Sequence, residues 1–318
     1  MSLRSLYILP TDYCPLNCAH CAIQNKNKPR CDLDMDITEQ LIHDAPAQQF
    51  SISVISGGGE PMTVNESSLI RILQASSKEN LYPKMTTNSY WASSFEEACR
   101  KLRPLAENGL KHIVLSISES HQEYVKYNNI LNAVRAANSL NIKCNLYLTT
   151  LNVQTDPLQN IVRYFTEHHQ ALPYIHTEYY FIPFGNAEAN FNLFDFQLTD
   201  VANLQGSCPS AGNNICVHPN GVVTFCAMVF SLHVAALHIG NVYSDNLADI
   251  MGKVNVSRLV QWISKQGIVA LKELVEDHTD IRLGDRYVNI CHLCCDLLRN
   301  PKVLYFLRQV GLIDSHKI

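Results

Sequence analysis

Short apolar, β-branched runs alternate with amphipathic stretches through the first half of the chain, and this alternation constrains the fold most strongly. Six segments have strand character, at residues 4–9, 50–56, 84–88, 112–117, 142–149 and 175–182. Five segments between them have helical periodicity, at residues 38–45, 66–76, 95–108, 128–140 and 157–168. Strand–helix–strand order at this spacing is typical of βαβ units. We therefore predict an α/β fold, an open or partial barrel with ligands at the carboxyl ends of parallel strands.

The pattern changes near residue 190. Asn220-Gly221 lies between two β-branched runs, at residues 215–218 and 222–225, which predicts a hairpin. Three helices are predicted downstream, at residues 246–262, 268–276 and 301–309. We expect two domains, a core barrel at residues 1–190 and a smaller appended domain at residues 191–318.

Composition narrows the function classes. The net charge of -4 argues against a nucleic-acid-binding surface, because no basic field would collect phosphates. No apolar run reaches the roughly 18 residues that a membrane span needs, and the first residues do not resemble a signal peptide. We expect a cytoplasmic protein in which the 12 cysteines stay reduced, so their clustering suggests metal more than disulfides.

The first cysteine group follows the first predicted strand, with Cys14, Cys18 and Cys21 at spacings that allow convergence on one site. Three thiolates are one short of the four that hold an ordinary zinc ion or [4Fe–4S] cluster. An open position leaves one iron free to bind substrate or cofactor. The alternative is a zinc site that takes His20 or Cys31 as its fourth ligand.

A glycine-rich segment, Ser56-Gly57-Gly58-Gly59-Glu60-Pro61, ends the second predicted strand. Glycines let a ligand approach the backbone closely, and Glu60 offers a carboxylate to an ammonium group. Its position, beside the cysteine loop of the first strand, makes this segment a candidate binding site.

Together these motifs resemble the radical S-adenosylmethionine (SAM) superfamily, whose pattern is CxxxCxxC after the first strand of a partial (βα)6 TIM-like barrel. The resemblance implies that Cys14, Cys18 and Cys21 hold a [4Fe–4S] cluster. The free iron would chelate the amino and carboxylate groups of SAM, and reductive cleavage would give a 5′-deoxyadenosyl radical that abstracts hydrogen.

Further SAM contacts follow from the resemblance. Gly58, Gly59 and Glu60 match the segment that binds the methionine amino group. Asn88 and Ser118 match polar positions that contact the carboxylate and ribose.

The adenine contacts are implied in the same way. The segment Pro183-Phe-Gly185-Asn-Ala187 is similar to the one that lies along the adenine. His20 stands where the family often has an aromatic carbocycle, and an imidazole can also stack on adenine.

The second cysteine group comprises Cys208, Cys226 and the pair Cys291 and Cys294. Four thiolates, two near the hairpin and two at a helix start, would complete a closed site, either iron–sulfur or structural zinc. The arrangement resembles the SPASM/twitch extensions of the superfamily, which implies one auxiliary [4Fe–4S] cluster on these four cysteines.

Within the superfamily, the chain is most similar to small twitch-bearing peptide epimerases and other peptide maturases. The epimerase branch carries a hydrogen-donating cysteine directly after the ligand that matches Cys226, and here that residue is Ala227. Cys216 or Cys295 is a possible substitute, although free cysteines are often simply buried. Without a donor, the substrate radical would lose an electron to the auxiliary cluster, which favours oxidative modification or a cross-link over epimerisation.

Three functions are open at this point. The first is modification of a ribosomally synthesised peptide, with His121 as a candidate proton-transfer or substrate residue. The second is dehydrogenation or rearrangement of a small molecule such as an amino sugar or amino acid. The third is a non-catalytic iron–sulfur or zinc protein.

The expected partners follow from the first function. No leader-binding domain of about 80 residues fits before Cys14, so a peptide would bind the barrel mouth directly or rely on a separate leader-binding protein. The cluster would also need a reducing partner such as flavodoxin or ferredoxin.

Overall fold

The computed structural model describes residues 4–23, 29–151, 157–177, 181–204 and 206–314. Within these residues, nine strands form one sheet in the order β10-β9-β8-β1-β2-β3-β4-β5-β6, and two short strands, β7 and β11, pair separately. The strands are β1 (Arg4–Ile8), β2 (Phe50–Ile55), β3 (Tyr82–Thr87), β4 (His112–Ile117), β5 (Lys143–Leu148), β6 (Tyr174–Thr177), β7 (Thr199–Asp200), β8 (Asn214–Val217), β9 (Val222–Thr224), β10 (His238–Asn241) and β11 (Arg286–Tyr287).

Helices connect the parallel strands β1 to β6 and form most of the C-terminal region. They are α1 (Met35–Asp44), α2 (Glu66–Lys78), α3 (Phe95–Glu107), α4 (Glu119–Gln122), α5 (Tyr127–Ser139), α6 (Pro157–Glu167), α7 (Asn186–Asn190), α8 (Leu247–Val256), α9 (Arg258–Lys265), α10 (Gly267–His278), α11 (Ile290–Arg299) and α12 (Pro301–Gln309). No helix in the described ranges is long and apolar enough to cross a membrane.

The local sequence accounts for where several helices begin. Asp34 accepts hydrogen bonds from two backbone N–H groups of α1, and Ser94 accepts one at the start of α3. Asn289 caps α11 in the same way, with contacts to the amides of Cys291 and His292. Such side chains satisfy backbone donors that the first turn leaves without partners.

The main core lies between the sheet and its covering helices. Alternate strand residues such as Ile8, Ile55, Met85 and Leu115 are fully buried on this side. Their neighbours in sequence face the other side of the sheet, because successive strand side chains alternate.

The predicted α/β class and the alternation of strands and helices are confirmed. Each of the six predicted strands and five predicted helices of the first half is present, with small differences at the ends. Residues 178–180 of the sixth predicted strand lie outside the described residues.

The appended region differs from the sequence prediction in one helix. The predicted helix at residues 246–262 is wrong, because two helices, α8 and α9, meet at Ser257. Ser257 has extended backbone angles, and its side chain caps α9 by accepting from the amide of Val260 at 3.3 Å. A serine is suited to this break because its hydroxyl competes with helical hydrogen bonding.

The predicted hairpin is confirmed as β8 and β9, and it extends the main sheet. Strand β8 pairs in parallel with β1, with Tyr7 opposite Cys216, while β9 and β10 continue the sheet in antiparallel fashion. The sheet therefore crosses residue 190, and the division into domains at residues 1–190 and 191–318 stays a prediction.

Candidate functional site

The first cysteine loop follows β1 and is tied at its base. The backbone N–H of Asp12 donates to the carbonyl of Cys31 at 3.0 Å, and the Asp12 carboxylate accepts from the N–H of Cys31 at 2.8 Å. The N–H of Glu60 donates to the carbonyl of Tyr13 at 2.8 Å. The loop is thus held against the glycine-rich segment that follows β2.

The loop brings Cys14 and Cys21 close enough to Cys18 to act on its pKa. Burial, and then the neighbouring cysteines, raises the pKa of Cys18 to about 12. Burial also raises the pKa of Cys14 to about 12 and that of Cys21 above its usual value. Thiols with raised pKa values are mostly protonated at neutral pH, and a bound cation would favour their thiolate forms.

The chemistry of this donor set fits an iron–sulfur cluster with one open iron. In the described ranges, no three His, Cys, Asp or Glu side chains converge on a point that a single metal ion would occupy. Burial, and then the carboxylates of Asp12 and Asp32, raise the pKa of Cys31. His20 Nδ1 lies 3.4 Å from Ser118 Oγ.

Close backbone approach explains the glycines after β2. A Cβ atom on Gly59 would lie 2.2 Å from the carbonyl oxygen of Tyr13, and one on Gly58 would lie 2.9 Å from the Leu9 side chain. Only glycine allows this segment to lie against the cysteine loop.

Glu60 is a buried carboxylate, 2 % exposed, between the ends of β2 and β3. It accepts hydrogen bonds from Thr87 Oγ1 at 2.6 Å, the N–H of Asn88 at 2.9 Å and the N–H of Met62 at 3.0 Å. Burial nevertheless raises its pKa to about 7, because desolvation outweighs these three donors. The predicted role toward an ammonium group stays a prediction.

Asn88 links this carboxylate to the cysteine loop. Its side-chain amide lies 3.6 Å from the sulfur of Cys14, while its backbone N–H contacts Glu60. The predicted contact between Asn88 and SAM stays a prediction, and the structure adds a contact between Asn88 and Cys14.

Ser118, His20 and His121 form one polar group at the carboxyl end of β4. The Ser118 hydroxyl lies 2.9 Å from His121 Nδ1, and the two imidazole rings are 4.8 Å apart. Burial lowers the pKa of His20 to about 4 and that of His121 well below its usual value, so both imidazoles are neutral at pH 7. Phe181, whose ring centre is 5.0 Å from that of His20, is a member that sequence reasoning missed.

Gly185 sits against the cysteine loop in a left-handed conformation, with φ of +63°. A Cβ atom there would lie 2.6 Å from the carbonyl oxygen of Ala22. The next residue, Asn186, donates from its backbone to the Cys21 carbonyl at 2.8 Å and from its side chain to the Cys18 carbonyl at 3.2 Å. Sequence reasoning missed Asn186, because its partners lie more than 160 residues away.

The four cysteines of the second group come together in the fold. The N–H of Cys208 donates to the carbonyl of Ile263 at 2.9 Å, Cys226 follows β9, and Cys291 and Cys294 lie in the first turns of α11. Burial and the nearby Cys226, Cys291 and Cys208 raise the pKa of Cys294 far above its usual value. The sequence grouping is thus matched by spatial proximity, while the identity of any bound group stays a prediction.

Two further cysteines lie beside this group. Cys295 is 3 % exposed, and Cys216, on β8, is fully buried. Burial raises the pKa of Cys216 well above its usual value, and Cys226 adds to the effect. The predicted catalytic role of Cys216 stays a prediction.

A buried polar network that sequence reasoning missed holds the backbone at Cys226. The hydroxyl of Thr224 donates to the Cys226 carbonyl at 2.9 Å, and the Ser231 hydroxyl lies 2.8 Å from that of Thr224. His218 Nε2 is within 3.3 Å of both hydroxyls. Hydroxyl and imidazole groups of this kind fix the position of a loop, because each buried polar atom needs its partner.

Comparisons with known proteins agree with this geometry. Residues 8–165 match the family model described as the radical SAM superfamily, and no curated protein matches the chain. The structure of anSMEcpe with bound AdoMet and a Cp18Cys peptide is similar, with a TM-score of 0.57 and 15 % identity over 96 % of this chain and 99 % of that one. The structure of BtrN with AdoMet and 2-DOIA has a TM-score of 0.50 and 12 % identity over 84 % of this chain and 89 % of that one. At such low identity these structures establish the fold alone, and they confirm the partial-barrel class.

Proposed function

Because this chain belongs to the radical SAM superfamily, we propose that it is an oxidoreductase that modifies a ribosomally synthesised peptide. A [4Fe–4S] cluster and SAM are implied by the family, and together they supply the 5′-deoxyadenosyl radical that takes hydrogen from a substrate carbon. The observation that carries the proposal is that the fold brings Cys294 close to Cys208, Cys226 and Cys291, in a chain that also has the three-cysteine loop after β1.

The residues of the first site act by binding and by excluding water. Cys14, Cys18 and Cys21 would hold the first cluster, and the contact of Asn88 with Cys14 keeps that sulfur in place. Gly58 and Gly59 let the segment after β2 lie against the cysteine loop, where SAM would bind. The neutral His20 and the ring of Phe181 supply flat surfaces for an adenine.

The second cysteine group would hold an auxiliary [4Fe–4S] cluster. Four cysteine thiols are the donor set of a closed cluster, and burial raises the pKa of Cys226 to about 12 and that of Cys294 well above its usual value, which makes these two costly to keep as free thiolates. The twitch-like hairpin that carries Cys226 lies next to β1, since β8 pairs with β1.

Burial of the spare thiols supports an oxidative outcome. Cys216 and Cys295 are 0 % and 3 % exposed, and Ala227 has no weakly bound hydrogen to give. A substrate radical would then lose one electron to the auxiliary cluster and one proton to a base, which leaves the substrate oxidised by two electrons. An external reductant such as flavodoxin or ferredoxin would supply the electron that starts each turnover.

A peptide is favoured as substrate because the anSMEcpe structure that aligns over nearly the whole chain contains one. That peptide would bind the barrel mouth directly or arrive with a separate leader-binding protein in the cytoplasm. The second candidate is oxidation of a small molecule such as an amino sugar or amino acid, and the similarity to BtrN with 2-DOIA favours it.

The test is anaerobic reconstitution with iron, sulfide, SAM and a reductant, followed by measurement of 5′-deoxyadenosine. We expect about eight iron atoms per chain, and about four after the paired substitutions Cys291→Ala and Cys294→Ala. The Cys18→Ala variant should lose 5′-deoxyadenosine formation but keep iron at the second site. About four iron atoms in the wild-type chain would contradict the auxiliary cluster.

The outcome of the reaction is tested with candidate peptides in deuterium oxide. A mass loss of about two hydrogens, or a cross-link of the same mass change, is the expected result. A product of unchanged mass in water that carries one solvent-derived deuterium at Cα would instead show epimerisation. Turnover of an amino sugar or amino acid, with every peptide inert, would favour the second candidate.

A further inference from the structure

One short segment, residues 183–190, contacts the first cysteine loop on one side and α11 on the other, and we call it the connector. It comprises the end of the loop after β6 and helix α7. On the side of the first group, Asn186 binds the carbonyls of Cys18 and Cys21. Asn190 adds a side-chain contact to the carbonyl of Ala19 at 3.1 Å.

The other side of the connector contacts α11, the helix that carries Cys291, Cys294 and Cys295. Arg299, the last residue of α11, pairs with Glu188 at 3.4 Å. Its guanidinium also lies 4.8 Å from the centre of the Phe184 ring, which is 4 % exposed. A cation over a buried aromatic face is worth more than an exposed ion pair alone.

Helical geometry explains why the connector contacts the cysteine loop with one face and α11 with another. Asn186 and Asn190 are four positions apart, so they share a face, and both bind the cysteine loop. Glu188 is two positions from each, so it points away from that face and toward α11.

The same spacing rule applies to α11. Cys291, Cys295 and Arg299 recur every four residues and therefore share a face of that helix. Arg299 accordingly acts on the pKa of Cys295, which it lowers, although burial and nearby cysteines raise that pKa overall. The connector is anchored to the second group on another side as well, because Phe184 packs on Phe230, four residues after Cys226, at 5.4 Å.

We propose that Arg299 is a positioning residue that couples the two cysteine sites by holding the connector, and with it the first cysteine loop, against α11. The nature of the two bound centres rests on the proposed function, but the contacts belong to the polypeptide itself. Filling the second site would fix α11 and thereby order the loop that binds the first cluster.

The decisive test uses the chain without cofactors and measures hydrogen exchange at the amides of Cys21 and Asn186. Both amides are hydrogen-bonded in the loop and connector, so their exchange reports local opening. Arg299→Met should speed exchange about tenfold at these two amides, since it removes a cation–π contact and an ion pair.

Three further variants separate coupling from general damage. Glu188→Gln removes only the ion pair and should speed exchange about threefold, which is informative even if Arg299→Met fails to fold. Arg299→Lys should restore part of the protection because it keeps the charge. Arg286→Met is the matched control, because Arg286 pairs with Asp200 at 3.1 Å on the same side of residue 190 but away from the connector.

Unchanged exchange at both amides in folded Arg299→Met and in Glu188→Gln would overturn the proposal. Equal acceleration in Arg286→Met would overturn it as well, because the effect would then be general. Failure of the wild-type chain to cleave SAM would refute the proposed function and leave the exchange results intact. In the loaded enzyme, Arg299→Met should also weaken SAM binding about fivefold at unchanged iron content.

Discussion

The buried carboxylate of Glu60 makes the stability of this protein depend on pH in an unusual direction. Most carboxylates in proteins stabilise the fold when ionised, but burial raises the pKa of Glu60 from 4.5 to about 7. The substitution Glu60→Gln removes the titration while keeping nearly the same volume. It also places an amide N–H₂ at one of the two oxygen positions, where it faces either the N–H of Asn88 (at Oε2) or the donors of Met62 and Thr87 (at Oε1).

The magnitude follows from the pKa change. A rise from 4.5 to about 7 corresponds to about 3 kcal/mol between the two protonation states. Because the folded chain binds this proton more tightly than the unfolded chain, the free energy of unfolding falls as the pH rises from about 4.5 to 7. Glu60→Gln should lack this fall and carry instead a pH-independent cost of about 2 kcal/mol from the mismatched donors.

The assay is urea unfolding of the cofactor-free chain at several pH values from 4.5 to 8. At each pH the free energy of unfolding of the variant is subtracted from that of wild type. The stability advantage of wild type should shrink by about 3 kcal/mol across this range. Glu39→Gln is the control: the hydrogen bond to Arg71 lowers the pKa of Glu39 from 4.5, so its contribution to stability changes only at lower pH and its difference from wild type should stay nearly flat across this range. The reasoning would be refuted if the free energies of unfolding of wild type and Glu60→Gln changed with pH in parallel.

Three smaller predictions follow from single contacts. Gly185→Ala should destabilise the chain by about 2–3 kcal/mol and lower the iron bound at the first site, because its Cβ would strike the Ala22 carbonyl at positive φ; iron retained at the wild-type level would contradict this. Ser257→Ala should cost about 1 kcal/mol in urea unfolding through loss of the α9 cap; an unchanged midpoint would refute it. Lys84→Met should raise the unfolding free energy by about 1 kcal/mol, because Lys84 is partly buried and repelled by Lys143 two strands away. The stability gain of the variant should shrink as the pH rises toward 10.5, because burial lowers the pKa of Lys84 in the folded chain and wild type is stabilised as this lysine loses its charge.

Much of the fold was predictable because its signals are local. Strand and helix periodicity located β1 to β6 and their helices, and Asn220-Gly221 located the hairpin between β8 and β9. The break at Ser257 was missed, since a polar residue within an amphipathic stretch does not by itself end a helix. The pairing of β8 with β1 was also missed, because no local pattern states which strand edge a hairpin will join.

The residues of the candidate site also divide into those that local sequence predicted and those that it did not. Cys14, Cys18 and Cys21 lie within eight residues, and Cys291 and Cys294 lie one helical turn apart, so their spacing alone indicated ligand sets. The sequence did not predict the burial of Cys216, because a thiol in a strand is exposed or buried according to what packs on that face of the sheet.

The sequence by itself determined the class of chemistry, through short cysteine spacings and a glycine-rich turn whose geometry is local. Only the tertiary structure decided which distant residues contact each other. Asn186 donates to the cysteine carbonyls and Thr87 donates to Glu60, while Arg299 pairs with Glu188 and lies over Phe184. These contacts join residues 27 to 168 positions apart. Their formation depends on how strands and helices pack, and no local periodicity carries that information.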